Sequence, residues 1–207
     1  MLNALRPSLV MIALFTLLTG LIYPLTITGI AQLAMPYTAN GSLIMRNGSL
    51  IGSSRIGQNF ATPGYFHGRP SATSAADPSD ASKTIDAPYN AANSGGSNYG
   101  PTSQKLMDRV KATLAADSAA GFTGAVAADA VTTSASGLDP DISPQFALAQ
   151  VAAVAKARQM QQTELRHLVE THVKSRLMGI FGEPRVNVLE LNLALDHLKK
   201  GATESRR

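Results

Sequence analysis

The stretch from Leu9 to Met35, LVMIALFTLLTGLIYPLTITGIAQLAM, decides the fold class of this 207-residue chain. It holds 27 residues without a formal charge, and about 20 such residues are enough for a helix to span the hydrocarbon core of a bilayer. We therefore predict a transmembrane helix over residues 9–35, kinked at Pro24 because proline removes a backbone donor. The alternative is a cleaved signal peptide, whose apolar region is typically only about 7 to 15 residues long.

Positive charge near this span sets its predicted orientation. Arg6 precedes the helix, and the next charged residue is Arg46. Because positively charged flanks stay on the cytoplasmic side, we expect residues 1–8 to form a short cytoplasmic N-terminus. Residues 36–200 are then expected to form one extracytoplasmic domain, followed by a disordered tail over residues 201–207.

Composition excludes several classes of protein. The chain is 44% hydrophobic and only 15% charged, which is too apolar for a disordered acidic or basic arm. It contains no cysteine, which excludes a disulfide framework, a thiolate metal site and a cysteine nucleophile. The net charge is +4, but the basic residues form no stripe with interleaved aromatic residues, so nucleic acid is not an expected partner.

The region after the anchor is predicted to belong to the α+β class, with long irregular loops. Asn47-Gly48 lies between two apolar runs, the strongest short signal for a β-hairpin, here near residues 42–54. Gly57 to Pro101 is dense in Gly, Pro, Ser, Ala and Asn, which indicates irregular structure. Interleaved aromatic residues favour a packed loop region over a free linker. They are Phe60, Tyr65, Phe66, Tyr89 and Tyr99.

Helix signals dominate the remainder of the chain. Ser143 followed by Pro144 is a strong helix start, since serine caps the helix and proline suits its first position. Asn187 with Glu190 forms a capping pattern ahead of spaced leucines. We predict helices over 102–116, with Thr102 as the cap, over 144–161, over 165–177 and from 188 onward, and short strands over 131–134 and 185–188.

The sequence motifs identify no catalytic group. The chain has no Gly-Lys dipeptide and therefore no nucleotide-binding P-loop of its own. Ser97 lies in a near match to the nucleophile elbow of serine hydrolases, but Tyr99 stands where the strained turn requires glycine. His167 and His172 are five residues apart, which is not the spacing of a zinc protease, so we interpret them as surface or partly buried helix residues.

Three charged loop residues are also interpreted structurally. Asp139 and Asp141 precede a helix cap, where an Asx-type turn explains them better than a cation site. Arg69 lies in a Gly-Pro-rich loop and is expected to pair with a carboxylate. We therefore predict no metal site in this chain.

Three loop signatures and a closing segment resemble one known family when they are taken together with the anchor. They are IGQNF (56–60) with YFHGRPSA (65–72), SGGSNYGP (94–101), SASGLDPDISP (134–144) and VNVLELN (186–192). In this order they resemble the C subunit of the Kdp-type potassium-transporting ATPase, over nearly the whole chain. The resemblance marks candidate binding residues in the signature loops: Gly57, Gln58, Phe60, Tyr65, Phe66, Arg69, Pro70, Ser94, Gly95, Gly96, Ser97, Asn98, Gly137, Leu138, Asp139, Pro140, Ser143 and Pro144.

The resemblance implies a non-catalytic, single-pass subunit of an ATP-driven potassium importer in the bacterial inner membrane. The implied partners are a channel-like K⁺-binding subunit, a P-type ATPase subunit and a small single-helix subunit. ATP and Mg²⁺ are expected on the ATPase subunit, with K⁺ as the transported ion and no cofactor on this chain. Members of this family are needed for assembly of the complex, and they are described as catalytic chaperones that raise the affinity of the ATPase subunit for ATP. This effect is sometimes linked to Ser94–Ser97, which resembles the signature loop of ABC transporters.

The predicted orientation conflicts with direct ATP contact. If most of the chain lies outside, Ser94–Ser97 cannot meet cytosolic ATP, and any effect on ATP affinity must be a coupling free energy between distant sites. Two other functions stay open: a membrane-tethered hydrolase that uses Ser97, and an extracytoplasmic module that binds a ligand in the loops of 57–101. Ion selectivity is not expected here, because the charges of the loop region nearly balance. Those charged residues are Arg46, Arg55, Arg69 and Lys83 against Asp77, Asp80 and Asp86.

Overall fold

The computed structural model describes residues 2–122 and 125–204, which form two units, Met1–Ser53 and Ser54–Arg207. A long apolar helix is followed by a mixed helix and sheet region, which confirms the predicted α+β class. The division places the first hairpin with the apolar helix, whereas the sequence indicated a domain boundary at residue 36.

The first unit opens with a nearly continuous helix. Helix α1 (Leu2–Leu17) continues through a π-helical turn (Leu18–Ile22) into α2 (Tyr23–Ala34). Within the described residues, Ala4–Ala34 is the one segment long and apolar enough to cross a membrane, with 31 residues and a mean hydropathy of 2.1. The helix therefore begins before the predicted span of 9–35 and ends one residue earlier.

The irregularity predicted at Pro24 takes the form of the π-helical turn directly upstream of it. Tyr23 donates its N–H to the carbonyl of Leu18, five residues back. Because proline lacks an N–H and its ring crowds the carbonyl four residues earlier, a wider turn relieves the clash. The hydroxyl of Thr26 donates to the carbonyl of Ile22 at 2.7 Å, one of the ways in which polar side chains satisfy backbone groups in an apolar helix.

A short helix and a hairpin complete the first unit. Helix α3 spans Pro36–Ala39, and strands β1 (Leu43–Arg46) and β2 (Ser49–Ser53) pair antiparallel. Asn47 and Gly48 have φ angles of 52° and 77°, the left-handed pair that a two-residue type I′ turn requires. The hairpin predicted near residues 42–54 is thus confirmed.

The second unit contains two small sheets and five helices among its described residues. A hairpin of β3 (Ser74–Asp77) and β4 (Asp80–Asp86) stands alone, and a three-stranded antiparallel sheet has the order β5-β7-β6. The remaining elements, in chain order, are α4 (Gln104–Ala120), α5 (Ala128–Val131), β5 (Asp141–Ile142), α6 (Pro144–Arg158), α7 (Gln162–Thr171), β6 (Val173–Lys174), β7 (Arg185–Asn187) and α8 (Val188–Glu204).

The core of this unit lies among α6, α7, α8 and the strand β7. Its buried side chains are mostly aliphatic, and Phe66 joins them from the irregular loop region with no exposed surface. The expectation that this loop region is packed is therefore met by its central aromatic residue. The other members of the core include Phe146, Val151, Val154, Leu165, Val169, Val186, Leu191 and Leu195.

Two predicted helix starts agree with the structure. Ser143 precedes α6 with Pro144 at its first position, and its hydroxyl accepts the N–H of Phe146 at 3.1 Å. Asn187 accepts the N–H of Glu190 at 3.0 Å at the start of α8. In both places a side-chain oxygen satisfies a backbone donor that the first helical turn leaves free.

The strand predicted over 131–134 is wrong. The short helix α5 covers Ala128–Val131, and no strand follows until β5. The hydroxyl of Thr132 donates back to the carbonyl of Ala128 at 2.7 Å, which closes the helical turn. Local helix closure outweighs the β-propensity of the run Val131-Thr132-Thr133.

Several helix boundaries differ from the prediction. Helix α4 begins after Ser103 rather than after Thr102 and runs to Ala120, where Gly121 adopts a left-handed φ of 84°. Helix α6 ends at Arg158, and α7 ends at Thr171 because Val173–Lys174 pairs with β7 instead of extending the helix. Helix α8 includes residues 201–204 of the predicted disordered tail, and residues 205–207 lie outside the described residues.

Candidate functional site

Three signature loops meet in the second unit. We name them loop A (residues 56–72), loop B (94–101) and loop C (134–144). The N–H of Gly57 in loop A donates to the carbonyl of Leu138 in loop C at 2.8 Å. The N–H of Gly95 in loop B donates to the carbonyl of Ser136 at 2.9 Å. Loop C therefore joins the other two loops through backbone hydrogen bonds.

The polar groups of Ser94–Ser97 face loop C and its approach. The hydroxyl of Ser94 donates to the carbonyl of Ser136 at 2.9 Å. The hydroxyl of Ser97 lies 3.1 Å from that of Thr133. A Cβ atom on Gly96 would lie 2.8 Å from the carbonyl oxygen of Ala135, so only glycine fits this approach. The segment Ser94–Ser97 is thus held against loop C and Thr133 by its own hydrogen bonds.

Arg69 and Asp139 form the ionic link between loops A and C. The guanidinium Nη1 of Arg69 lies 3.0 Å from Oδ2 of Asp139, which confirms the predicted pairing with a carboxylate. The other oxygen of Asp139 accepts the N–H of Asp141 at 3.1 Å, the predicted Asx turn. Nη2 of Arg69 also donates to the carbonyls of Thr132 and Thr133 at 3.5 and 3.4 Å.

Tyr89 lies beneath these loops and was not among the predicted site residues. Its hydroxyl donates to the carbonyl of Arg69 at 2.8 Å, and its N–H donates to the hydroxyl of Ser71 at 3.0 Å. A Cβ on Gly57 would lie 2.5 Å from the Tyr89 ring, so the ring fills the space beside that glycine. Burial, and secondarily the Asp139 carboxylate, raise the pKa of Tyr89 to about 12.

Two buried amide side chains fix the centre of loop A, and neither is among the candidate binding residues, although Asn192 ends the quoted segment 186–192. Asn192 on α8 accepts the N–H of Phe66 at 2.8 Å and donates to its carbonyl at 2.9 Å. Gln150 on α6 accepts the N–H of His67 at 2.7 Å and donates to its carbonyl at 3.1 Å. The sequence signal for both is a polar residue on the apolar face of a helix, since a buried polar side chain requires a hydrogen-bond partner.

Arg158 holds the outer part of loop A against the helices. Its guanidinium lies 4.4 Å from the ring centroid of Tyr65, and its Nη2 lies 2.9 Å from Oδ1 of Asp196 on α8. Nε of Arg158 donates to the carbonyl of Gly64 at 2.5 Å. The ring of Tyr65 also packs near that of Phe60, with centroids 5.6 Å apart. Phe60 and Tyr65, two of the candidate binding residues, therefore make contacts within the fold.

The end of loop C is tied to the strands and helices around it. Asp129 on α5 accepts both the N–H and the hydroxyl of Ser143, at 2.6 and 2.9 Å. The carbonyl of Pro140 accepts the N–H of Val188 at 3.0 Å. Loop C, which contains β5 and ends at the start of α6, is thus hydrogen-bonded to both α5 and α8.

The other predicted residues of this group are placed by the backbone. Gly137 has a left-handed φ of 68°, and its carbonyl accepts the hydroxyl of Ser71 at 2.8 Å. Asn98 has a φ of 50°, a conformation that asparagine tolerates better than most residues. Gln58 and Pro70 are half-buried in loop A.

A cavity of about 350 Å³ lies behind loop A. Four aromatic rings contribute to its walls, and its polar lining includes His67, Arg69 and Asp117. Burial raises the pKa of the Asp117 carboxyl above 3.8, while the nearby His67 opposes the shift. The other lining residues include Phe60, Tyr89, Phe122 and Phe146.

A wider cleft of about 680 Å³ is lined by the carboxylates of Asp129, Asp139, Asp141 and Glu183. Asp139 in it pairs with Arg69, and Asp141 pairs with Arg185 at 2.9 Å. Burial raises the pKa of Asp141, while hydrogen bonding from Asn187 and the charge of Arg185 lower it. Over residues 2–122 and 125–204, no three His, Asp or Glu residues form a group that could hold a metal ion.

The two histidines lie on α7 and at its C-terminal cap. His167 is exposed on α7. Nδ1 of His172 lies 2.8 Å from the carbonyl of Leu168 at the end of that helix. Their exposure agrees with the interpretation of both as surface or partly buried residues.

Comparison with known proteins gives consistent matches over nearly the whole chain. The family model described as "K+-transporting ATPase, c chain" matches residues 5–197. A protein of Rhodopseudomonas palustris (strain BisB18), named "Potassium-transporting ATPase KdpC subunit", is 59% identical over 96% of this chain and 100% of its own length. Proteins with the same name from Methylorubrum extorquens and Bradyrhizobium diazoefficiens are 58% and 57% identical, over 97% and 95% of this chain and 100% and 98% of their own lengths.

Proposed function

Because the chain belongs to the KdpC family of K⁺-transporting ATPase c chains, we propose that it is a non-catalytic subunit of an ATP-driven potassium importer. It assembles with a channel-like K⁺-binding subunit, a P-type ATPase subunit and a small single-helix subunit. It raises the affinity of the ATPase subunit for ATP without holding the nucleotide. ATP and Mg²⁺ belong to the ATPase subunit, and K⁺ is the transported ion.

The observation that carries the non-catalytic role is the internal use of Ser94–Ser97. The N–H of Gly95 and the hydroxyl of Ser94 both donate to Ser136, and Gly96 lies against the backbone of Ala135. A phosphate-binding loop must keep such donors available for its ligand. A segment that uses the N–H of Gly95 and the hydroxyls of Ser94 and Ser97 within its own fold suits a scaffold better than a nucleotide site.

The effect on ATP affinity is proposed to be a coupling between sites. A subunit that binds one conformation of its partners more tightly shifts their equilibrium by its differential affinity. A typical coupling free energy of about 1–3 kcal/mol changes an affinity roughly 5- to 150-fold. Loop A, which Asn192, Gln150 and Arg158 fix on the helices, provides the well-defined surface that such a bias needs.

The apolar helix is proposed to anchor the chain in the bacterial inner membrane and to contact partner helices. Side chains all along it are exposed, and a Cβ atom at Gly20 or Gly29 would meet no described atom within 4 Å. Small residues on an open helix face let a neighbouring helix approach closely. Arg6 before the span and the uncharged stretch up to Arg46 favour an outward placement of the second unit.

Labelling of a single cysteine tests this placement, because the natural chain has none. Ala112 is exposed on α4, so Ala112→Cys introduces one accessible thiol. A membrane-impermeant maleimide is expected to label it in intact spheroplasts, with the cysteine-free chain as the blank. Labelling confined to inverted vesicles would refute the outward placement.

Kinetics of the purified complex test the effect on ATP. The KM for ATP is expected to be roughly 5- to 150-fold higher for the purified ATPase subunit without this chain than for the complete complex. The full chain alone, in detergent, is expected to show no saturable ATP binding in calorimetry. Binding by the isolated chain with a Kd near the KM of the complex would contradict the proposal of indirect coupling.

A further inference from the structure

An exposed turn lies between strands β6 and β7. We name it the apolar turn (residues 177–181). The N–H of Leu177 donates to the carbonyl of Phe181 at 2.8 Å, and the N–H of Phe181 donates back to that of Leu177 at 3.0 Å. Met178 and Gly179 have φ angles of 53° and 74° at its tip. The turn is therefore a closed hairpin loop with a fixed shape.

The apolar turn carries four large hydrophobic side chains that face solvent. Their exposed fractions are 67% for Leu177, 83% for Met178, 72% for Ile180 and 62% for Phe181. Side chains of this size expose together on the order of 500 Å² of apolar surface, which is the scale of the functional patches on soluble proteins. Single exposed hydrophobic residues are ordinary, but four in a five-residue turn indicate a contact site.

The charges around the apolar turn are already paired. Arg176 pairs with Glu183 at 2.5 Å, and Arg185 pairs with Asp141 at 2.9 Å. Lys174 on the neighbouring strand pairs with Glu190 at 2.6 Å. Binding to anionic lipid relies on basic groups that are free to meet phosphates. A neutralised polar rim around an apolar centre matches the anatomy of a protein interface instead.

The apolar turn is too small to form a stable interface on its own. A stable interface buries about 800 Å² on each partner, and the turn offers less than that. A protruding hydrophobic tip is well suited to act as the buried anchor of a larger contact.

We infer that the apolar turn inserts into an apolar pocket on another subunit of the same transport ATPase. The inference rests on the proposed function, since it needs the other subunits. The partner pocket is apolar at its floor and polar without strong net charge at its mouth, so that it matches the four side chains and their paired rim. The turn then supplies an anchor outside the membrane helix.

Thiol protection in the assembled complex tests the inference. Met178→Cys places a single thiol at the tip, and Met107→Cys places a matched one on α4, where Met107 is 50% exposed. Maleimide rates are compared for the full chain alone in detergent, for the chain reconstituted alone in vesicles containing anionic lipid, and for the purified complex. Complex formation is expected to slow the reaction of the tip thiol at least about tenfold, with the α4 thiol changing by less than about threefold.

Each other outcome overturns the inference in a distinct way. Equal rates at the tip thiol with and without the other subunits would leave the turn free in the complex. Protection in vesicles without other subunits would identify lipid as the occupant, and protection that grows with concentration of the chain alone would identify a second copy. Equal protection of the tip thiol and the α4 thiol would show general burial rather than insertion of the turn. Failure of the natural chain to co-purify with an ATPase would instead refute the proposed function itself.

Discussion

Asn192 makes both backbone hydrogen bonds of Phe66, accepting its N–H at 2.8 Å and donating to its carbonyl at 2.9 Å. Gln150 does the same for His67, at 2.7 and 3.1 Å. Two helix side chains thus take the place of neighbouring strands for an extended loop segment. Because both amides are buried, the centre of loop A is fixed on the core without belonging to a sheet.

Asn192→Leu is expected to destabilise the chain strongly. Leucine fills the space but leaves the N–H and the carbonyl of Phe66 buried without partners, at a cost of about 1–3 kcal/mol for each group. We expect the free energy of unfolding to fall by about 2–5 kcal/mol. Urea unfolding of the full chain in detergent, followed by circular dichroism, measures this change.

Gln104→Leu is the matched control for that substitution. Gln104 is exposed at the start of α4 and donates to Asp108 at 2.7 Å. Its replacement is expected to change the free energy of unfolding by less than about 0.5 kcal/mol. Similar losses for Asn192→Leu and Gln104→Leu would contradict the structural role assigned to Asn192.

Gly96 and Gly95 are adjacent but differ in the space around them. A Cβ on Gly96 would lie 2.8 Å from the carbonyl of Ala135, whereas one on Gly95 would meet no described atom within 4 Å. Gly96→Ala is expected to cost about 1–3 kcal/mol through overpacking, and Gly95→Ala less than about 0.5 kcal/mol. The same unfolding assay compares them. A large loss in ATP affinity for Gly95→Ala in a complex with normal stability would favour a nucleotide loop.

Arg69 and Asp139 are expected to be energetically coupled. Arg69→Ala leaves the Asp139 carboxylate without its ion pair, and Asp139→Ala removes both the ion pair and the acceptor of the Asx turn. A double-mutant cycle on the free energy of unfolding should give a coupling energy of about 0.5–3 kcal/mol. Additive effects of the two substitutions would show that the pair contributes no joint stabilisation.

The sequence predicts those parts of the fold that are set by local backbone preferences. Asn47-Gly48 and Ser143-Pro144 impose their turn and helix start through their own backbone preferences, and both were predicted. Strands β3 and β4 were missed because SAAD and DASKTID lack alternating apolar residues. Their turn is instead set by Asp77, which accepts the N–H and the hydroxyl of Ser79 at 2.8 and 2.6 Å.

The site shows the same division between local and distant signals. The pairing of Arg69 with a carboxylate was predictable from its type and loop, since a charged residue in a packed loop needs a partner. That its partner is Asp139, 70 residues away, required the fold. Tyr89, Gln150 and Asn192 act on loop A from other elements, and no local pattern predicts which backbone groups they satisfy.

Tyr89 provides a pH-dependent test of the packing beneath the loops. Its folded-state pKa of about 12 lies above the ordinary value of 10.0, so the unfolded chain loses this proton at a lower pH than the folded chain. Stability from this group is therefore fully present below pH 10 and falls as the pH rises through about 12. Alkaline titration of tyrosinate absorbance, as the difference between the natural chain and Tyr89→Phe, should give a midpoint near 12. A midpoint near 10 would show that the Tyr89 hydroxyl is solvated in the folded chain.

Ser97→Ala separates a structural hydroxyl from a nucleophile. The Ser97 hydroxyl lies 3.1 Å from that of Thr133, and a threonine hydroxyl is not a base that can activate a nucleophile at neutral pH. Removing it should cost about 0.5–1.5 kcal/mol of stability, the usual net worth of one hydrogen bond. K⁺-stimulated ATP hydrolysis by the assembled complex should change by less than about twofold, since a non-catalytic side chain makes no contact that strengthens in the transition state.

Thr133→Val tests the other side of the same contact and should have a similar effect on stability. A loss of more than about 100-fold in turnover for Ser97→Ala alone, in a complex of normal composition, would indicate covalent catalysis and restore the hydrolase as the better explanation.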